Sequence, residues 1–241
     1  MVPTSTAITL AGAVADALGL LSSAARQTRH STEPGPLVLS CEPTLLIRWL
    51  IPRLGTLSSA TPGLKLHLSA AGGPVSFDRE GIDLAIRRND FQLPHGVHSH
   101  LLFDELIGPV CTPELAQGLL TTEDLANLPR LHTQTRPQAW DDWARCRRTA
   151  LPPATEQTFE HFYLSLQAAA AGLGAAIGPL ALVHDDVEAG RLAAPFGFAA
   201  DGTSYLLLAA NSPDNDQAAL LLTWLRDQAR SLQQPPTRAD L

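Results

Sequence analysis

Leu37-Val-Leu-Ser-Cys-Glu-Pro-Thr44 is the stretch that decides the fold, together with Leu64-Lys-Leu-His-Leu68 further along the chain. Leu37 to Leu39 is an apolar run typical of a short strand, and Leu64 to Leu68 alternates apolar and polar residues as a second strand does. Between them Pro43 and Thr44 open a helix whose apolar residues recur at helical spacing. These are Leu46, Trp49, Leu50 and Leu54. A strand, a helix and a strand in this order predict a right-handed crossover and a parallel sheet.

The turn from Ser40 to Thr44 is the first place where the sequence predicts a ligand. In parallel sheets, ligands bind beyond the carboxyl ends of the strands, where the chain turns into a helix. The free N–H groups and the dipole of a helix start favour an anionic group there, although Thr44 serves equally well as a simple cap or surface hydroxyl. Cys41 lies on the same turn. A helix start can lower the pKa of a thiol and suit it to redox chemistry, whereas an isolated cysteine beside a strand is more often a small packed hydrophobe.

Strands and helices alternate along the rest of the chain. A mostly apolar crossing segment is predicted at 101–111, strands at 128–133, 157–159, 174–177 and 203–210, and helices at 137–146, 160–171, 179–190 and 214–232. Thr112 before Pro113, and Thr121 three residues before Asp124, predict two further short, capped helices. The alternation predicts an α/β fold with two lobes, lobe I at about 37–103 and 205–241 and lobe II at about 104–204.

Residues 1–36 are predicted to form a dimerisation helix followed by a linker. Thr9 can cap a helix that runs to about Arg29, and its apolar residues fall close to a heptad seam. The seam residues are Leu10, Val14, Leu18, Leu21 and Ala25. Because the helix is poor in charge, we expect it to pair with another helix. His30 to Pro36 holds two prolines and a glycine and is predicted to be the linker.

Composition excludes several classes of function. The chain has 241 residues, a net charge of −7 and no long Lys/Arg run, so it is not expected to bind DNA by itself, because phosphate neutralisation supplies most of that affinity. No signal peptide and no apolar run of about 20 residues is found. The three cysteines form no metal spacing and suit a reducing cytoplasm. Nucleophile-elbow, phosphate-loop and zinc-protease motifs are absent, so neither an enzymatic activity nor a cofactor is predicted.

Two motifs carry a resemblance to a known family. Arg48-Trp-Leu-Ile-Pro-Arg-Leu54 and Phe77-Asp-Arg-Glu-Gly-Ile-Asp-Leu-Ala-Ile-Arg87 resemble the effector-binding domain of LysR-type transcriptional regulators. Further matching motifs follow in the same order along the chain: Pro109–Pro113, Ala169–Gly174, Gly190–Leu192 and Pro195–Phe196. The similarity covers Leu37 to about Leu232 and is greatest for the branch that contains glycine-cleavage activators and β-lactamase regulators.

The resemblance implies a two-lobed, periplasmic-binding-protein-like (type 2) fold preceded by a long linker helix. It implies a regulator whose small-molecule effector, expected to carry a carboxylate, binds between the lobes and shifts how its dimers assemble. In the family a DNA-reading helix-turn-helix precedes the linker helix, and no such module is found in this sequence. The family also pairs these domains through the first helix, so Ile47, Leu50 and Leu54 are expected to be partly interfacial in a homodimer or tetramer. A solute-binding protein of a transport system shares this architecture and is the alternative.

The resemblance also extends the predicted effector site. Ser76 stands where related proteins often have Asp, which argues against a cationic effector and leaves a plain helix cap as the alternative. His161 and Tyr205 correspond to effector-facing positions, with a surface histidine and a packed tyrosine as the alternatives. The full predicted set is Ser40, Cys41, Pro43, Thr44, Ser76, Thr133, His161 and Tyr205. His95, His98 and His100 have a spacing that a metal ion can use, but loop histidines are commonly solvated and no metal is predicted.

Overall fold

The computed structural model describes residues 35–93, 96–210 and 216–233, together with seven residues nearer the N-terminus: Thr4, Thr6, Leu10, Ala13, Val14, Ala17 and Leu21. Most of the predicted Thr9–Arg29 helix and most of the linker after it lie outside these residues. Of the predicted seam, Leu10, Val14 and Leu21 are helical and expose 64%, 49% and 67% of their surface. Within the described parts of the chain, no helix combines the length and apolarity needed to cross a membrane.

Strands and helices alternate through the described residues. The strands are β1 (Leu37–Cys41), β2 (Leu66–Ala70), β3 (Leu84–Arg88), β4 (His98–Val110), β5 (Arg130–Thr133), β6 (Glu156–Phe159), β7 (Ala175–Pro179) and β8 (Ala199–Ala209). Helix α1 has three consecutive segments, Pro43–Leu45, Leu46–Leu50 and Ile51–Ala60, of which the middle one is π-helical. The other helices are α2 (Phe77–Glu80), α3 (Pro113–Ala116), α4 (Ala139–Arg147), α5 (Phe162–Ala170), α6 (Leu180–Glu188) and α7 (Asp216–Ala229), with 3₁₀ turns at Thr122–Asn127 and Arg230–Gln233.

The chain folds into two compact units. The first comprises residues 35–43, Gly55–Leu101 and Leu206–Leu225 within the described ranges. Its strand order is β2-β1-β3-β8, and β1 is parallel to both neighbours, with Ser40 opposite Ser69 and Ala85. An apolar cluster packs within this unit: Val75, Phe77, Ile82, Ala85 and Leu208. The predicted parallel β1–α1–β2 arrangement is confirmed.

The second unit comprises Thr44–Leu54, Leu102–Tyr205 and residues 226–233. Its strand order is β4-β7-β5-β6, in which β5 is parallel to β6 and β7 while β4 is antiparallel to β7. Two clusters of aromatic side chains pack in this unit. One joins Trp49, Phe103 and Tyr205, and the other joins Trp140, Trp143 and Phe196, with neighbouring ring centroids 5.1–6.2 Å apart.

Helix α1 is grouped differently from the sequence-based assignment, which placed it in lobe I. Its residues Thr44–Leu54 belong to the second unit because two arginines join it to α6. Arg48 Nε donates to the Leu182 carbonyl at 2.6 Å and its guanidinium pairs with Asp186, while Arg53 Nη2 lies 2.7 Å from Asp185 Oδ1.

The apolar face of α1 also corrects one expectation about subunit contacts. Leu46, Trp49 and Leu50 are buried, as their helical spacing predicts. Leu50 has no exposed surface at all, so the prediction that it is partly interfacial is wrong: it packs inside its own unit. Ile47 remains 50% exposed and Leu54 is half-buried.

Candidate effector site

In the turn after β1, a buried polar residue is followed by half-buried residues. Ser40 and Cys41 end β1 and are fully buried, whereas Glu42, Pro43 and Thr44 are half-buried. The Ser40 hydroxyl oxygen accepts a hydrogen bond from Arg87 Nη2 at 2.8 Å. The turn therefore places one polar, buried side chain and the first N–H groups of α1 at the carboxyl end of a parallel strand, which is where such sheets bind ligands.

Cys41 does not have the properties of a redox thiol. Its complete burial, and to a smaller extent the charge of Glu42, raise its pKa far above the ordinary thiol value. The premise that the helix start lowers this pKa is wrong, because loss of hydration outweighs any stabilisation of the thiolate. Cys41 is the small packed hydrophobe of the alternative interpretation.

Ser76 precedes α2, as predicted, but its side chain does not cap the helix. Among the described residues its hydroxyl makes no capping hydrogen bond, and its backbone N–H instead donates to Glu80 Oε1 at 3.1 Å. The capping alternative is therefore not supported, and the half-buried hydroxyl remains available to a ligand. Ser76 ends the loop that follows β2, and β2 is the strand next to β1 in the sheet.

Arg87 is a buried residue of this region that the sequence analysis did not include in the site. It is 1% exposed and donates to three oxygens: Ser40 Oγ at 2.8 Å, the Gly73 carbonyl at 3.0 Å and the Ile86 carbonyl at 3.0 Å. Burial lowers the pKa of Arg87, opposed by the charges of Glu42 and Glu80. A guanidinium nevertheless stays protonated in proteins. The only sequence signal was its place at the end of the Phe77–Arg87 motif.

Thr133 and His161 come together at the carboxyl ends of β5 and β6 in the second unit. Thr133 is buried, and its hydroxyl lies 3.0 Å from that of Thr135 and 3.4 Å from the carbonyl of Glu160. His161 precedes α5, and its ring stacks on Tyr163 with centroids 5.4 Å apart. The imidazole is about one-third exposed, at 34%. Two predicted residues are thus neighbours, although nothing in their contacts requires a ligand.

Tyr205 lies in the interior of the second unit beside a buried ion pair. Its ring is 2% exposed and lies 5.1 Å from that of Phe103. Arg136 Nη2 is 2.8 Å from Glu105 Oε2. Burial favours a lower pKa for Arg136, but Glu105 and, less strongly, Tyr205 and Asp201 outweigh it, so the pKa is raised. The packed-ring alternative for Tyr205 is confirmed. A cleft role is compatible with it and stays a prediction.

The histidines whose spacing a metal ion can use do not form a ligand group among the described residues. His95 lies outside the described residues, and His98 and His100 begin β4 without joining a group of three close ligand atoms there. Such a group does occur on α6, where one ligand atom each from His184, Asp185 and Glu188 lie within 4.8 Å of one another. Both Asp185 oxygens accept from Arg53, at 2.7 and 3.0 Å. A cation would have to compete with that guanidinium, which favours a structural role.

The fold and this strand-end site define a class of protein, the two-lobed ligand-binding domains. The chain belongs to the LysR-type transcriptional regulators: residues 30–230 match the LysR substrate binding domain. It is 39% identical over 230 residues to the HTH-type transcriptional regulator TrpI of Pseudomonas aeruginosa, covering 93% of this chain and 78% of that protein. It is also 30% identical over 222 residues to the glycine cleavage system transcriptional activator of Escherichia coli, covering 89% and 72%.

Solved structures agree with this placement. The AmpR effector binding domain from Citrobacter freundii matches 82% of this chain and all of that chain with a TM-score of 0.69 at 26% identity. The effector domain of AmpR of Pseudomonas aeruginosa matches 82% and 97% with a TM-score of 0.68 at 27% identity. The predicted periplasmic-binding-protein-like fold and the regulator family are therefore confirmed. The transport alternative is set aside, because the relatives are transcriptional regulators.

Proposed function

We propose that this effector-binding domain senses a small molecule bearing a carboxylate, and that the turn after β1 receives that group. The observation that carries the proposal is the buried Ser40 hydroxyl at the end of β1, followed directly by the half-buried start of α1. Hydroxyl groups and free helix N–H groups together suit a carboxylate. The contributions of Ser76, Thr133, His161 and Tyr205 to the same ligand form part of the proposal.

Replacement of Thr44 by valine tests the proposal, because it keeps the side-chain shape and removes the hydroxyl. A thermal-shift screen of small carboxylates first identifies a ligand, and calorimetry then compares the parent with Thr44→Val and Tyr205→Phe. We expect Thr44→Val to weaken binding by about 1–3 kcal/mol, since a buried ligand oxygen loses its donor. Thr223→Val, on the exposed face of α7, is the matched control. Parent-like affinity in both site variants would contradict the assignment.

We further propose that the protein acts as a homodimer in the cytoplasm and contacts DNA only through a helix-turn-helix joined to the N-terminal helix. The exposure of Leu10, Val14 and Leu21 supports pairing, because these residues follow heptad spacing and would leave an apolar stripe in water. Sedimentation equilibrium at tens of micromolar, roughly an order above common dissociation constants, should show a dimer. Val14→Asp should weaken it, and a parent chain that stays monomeric contradicts the idea. Sub-micromolar, sequence-specific DNA binding by the chain alone would count against the DNA part.

A further inference from the structure

We infer that Arg87 makes the turn after β1 selective for oxyanions, by fixing two neighbouring turns and by supplying a positive charge that the described side chains leave unpaired. This inference rests on the proposed function, since it concerns the same ligand group. Arg87 acts through Ser40 and is therefore a positioning residue. The ligand class is an oxyanion, either a carboxylate or a phosphate group.

One guanidinium joins the turns that follow two adjacent parallel strands. Nη2 donates to Ser40 Oγ at the end of β1, and Nε donates to the Gly73 carbonyl in the loop after β2. Nη1 donates to the Ile86 carbonyl of its own strand. The planar fork of arginine fixes these contacts in one geometry, which lysine cannot reproduce. The loop from Gly73 to Ser76 and the end of β1 therefore keep a constant spacing that depends on Arg87.

The charge of this guanidinium is not balanced by its direct contacts. All three acceptors are neutral oxygens, and none of the described carboxylates forms an ion pair with Arg87. The two acidic side chains that influence it, Glu42 and Glu80, accept instead from the backbone N–H groups of Arg88 and Ser76, at 3.2 and 3.1 Å. A buried charge whose direct partners are all neutral is costly, and Glu42 and Glu80 compensate the charge of Arg87 only from a distance. A bound anion would remove that cost, and a neutral ligand of the same shape would not.

Ser40 connects this charge to a ligand. A serine hydroxyl has one hydrogen to donate and lone pairs to accept with. Because Arg87 donates to its oxygen, the Ser40 hydrogen points away from the guanidinium. None of the side-chain contacts described for Ser40 provides an acceptor for that hydrogen, although the residue is fully buried. An oxyanion accepts such a hydrogen bond strongly, whereas an amide nitrogen in the same place cannot.

The test compares a carboxylate with its neutral isostere. Benzoate, benzamide and inorganic phosphate are titrated at constant ionic strength into the parent, Arg87→Lys, Arg87→Gln and the exposed control Arg145→Gln. We expect the parent and the control to bind benzoate at least about tenfold more tightly than benzamide, in line with a charge-assisted hydrogen bond. Arg87→Gln should abolish the ratio, and Arg87→Lys should restore it in part because it restores the charge. A saturable phosphate site that Arg87→Gln also removes identifies phosphate as an accepted group, and phosphate binding untouched by the variant restricts selectivity to carboxylates.

The possible failures are distinguishable. If Arg87→Gln lowers benzoate and benzamide binding equally, in step with melting temperature, Arg87 is only a structural tie and the inference is overturned. If it leaves the ratio unchanged while Thr44→Val still weakens benzoate, the inference fails and the proposed function stands. If none of the three probes binds the parent saturably up to about 50 mM, far above common dissociation constants, the inference fails, and the proposed function fails as well only if the wider screen of small carboxylates finds no ligand. Should Arg87→Gln not fold, Ser40→Ala takes its place, and parent-like benzoate selectivity in that variant overturns the inference.

Discussion

Arg136→Met tests how strongly the buried ion pair of the second unit stabilises the fold. Arg136 and Glu105 side chains are 11% and 1% exposed, and their charged atoms are 2.8 Å apart. Loss of the cation removes the counter-charge that Arg136 gives the buried Glu105 carboxylate, and Asp201, 3.8 Å from Arg136, loses its attraction as well. We therefore expect the free energy of unfolding to fall by about 3–5 kcal/mol, as for other broken buried pairs.

The same substitution at Arg130 is the matched control. Arg130 and Arg136 both lie over an aromatic ring, at 5.3 and 5.0 Å from the ring centroid, so the loss of that contact is common to both variants. The carboxylate that pairs with Arg130, that of Glu156, is 56% exposed, and such pairs contribute about 1 kcal/mol or less. With the loss of a 2.6 Å hydrogen bond to Pro152, we expect Arg130→Met to cost about 1–2 kcal/mol.

Urea unfolding at neutral pH provides the measurement, provided that the m-value is the same in the parent and both variants, so that midpoint shifts report stability. The reasoning predicts that Arg136→Met loses at least about 2 kcal/mol more than Arg130→Met, from the difference between buried and exposed pairs. Equal losses in the two variants would refute it. They would show that hydration of the buried carboxylates, and not their pairing, sets the energy of this region.

Three further predictions concern pH, packing and thiol access. Burial favours a higher pKa for Asp185, but the Arg53 hydrogen bonds and charge outweigh it, so the pKa of Asp185 is lowered in the folded protein. The stability that Asp185 contributes is complete above the ordinary carboxyl pKa of roughly 4 and is lost as the pH falls through the lower folded pKa. Asp185→Asn should therefore flatten the acid limb of a stability–pH curve, and an unchanged limb would contradict this. Gly178→Ala should destabilise by about 1–3 kcal/mol in urea unfolding, because its β-carbon would lie 2.8 Å from a side-chain methyl, whereas Gly55→Ala, with nothing within 4 Å, should be neutral or stabilising. Of the three cysteines, the exposed Cys146 should be the one that a thiol-reactive dye labels quickly in the native protein. Rapid labelling of a second cysteine would show that the interior is more open than described.

Local patterns made much of this fold predictable. The β1–α1–β2 order follows from hydrophobic spacing within a short stretch, and the burial of Trp49 follows from the same spacing. The capped starts were also predictable, because caps depend on neighbours a few residues away. Thr112 Oγ1 accepts from the Leu115 N–H at 3.5 Å, and Asp124 accepts from the Thr121 N–H at 2.7 Å.

The charged interior was not predictable from the same patterns. Arg87 lies near the end of an apolar strand and, as an arginine, would be expected at the surface, yet its partners Gly73 and Ser40 are 14 and 47 residues away in sequence. Arg136 is similarly paired with Glu105, 31 residues distant. Only the folded arrangement decides that these charges are buried. For the candidate site, the sequence predicted the turn after β1 but not the buried Arg87 beside it, because that burial depends on contacts between distant segments.

The π-helical segment of α1 makes the length of this helix as important as its composition. Arg48 and Arg53 are five residues apart and both reach α6. At roughly 3.6 residues per turn, such residues in an ordinary α-helix differ in direction by about 140°, whereas π-helical hydrogen bonds join residues five apart and bring them onto one side. A single-residue deletion between the two arginines would restore a regular helix and leave them four residues apart, a difference in direction of about 40°, so both would still face α6. Relatives that align without gaps across Leu46–Leu50 should therefore use both arginines only where they also keep the π-helical segment, while a one-residue gap there should coincide with a regular helix that retains both arginines and their aspartates.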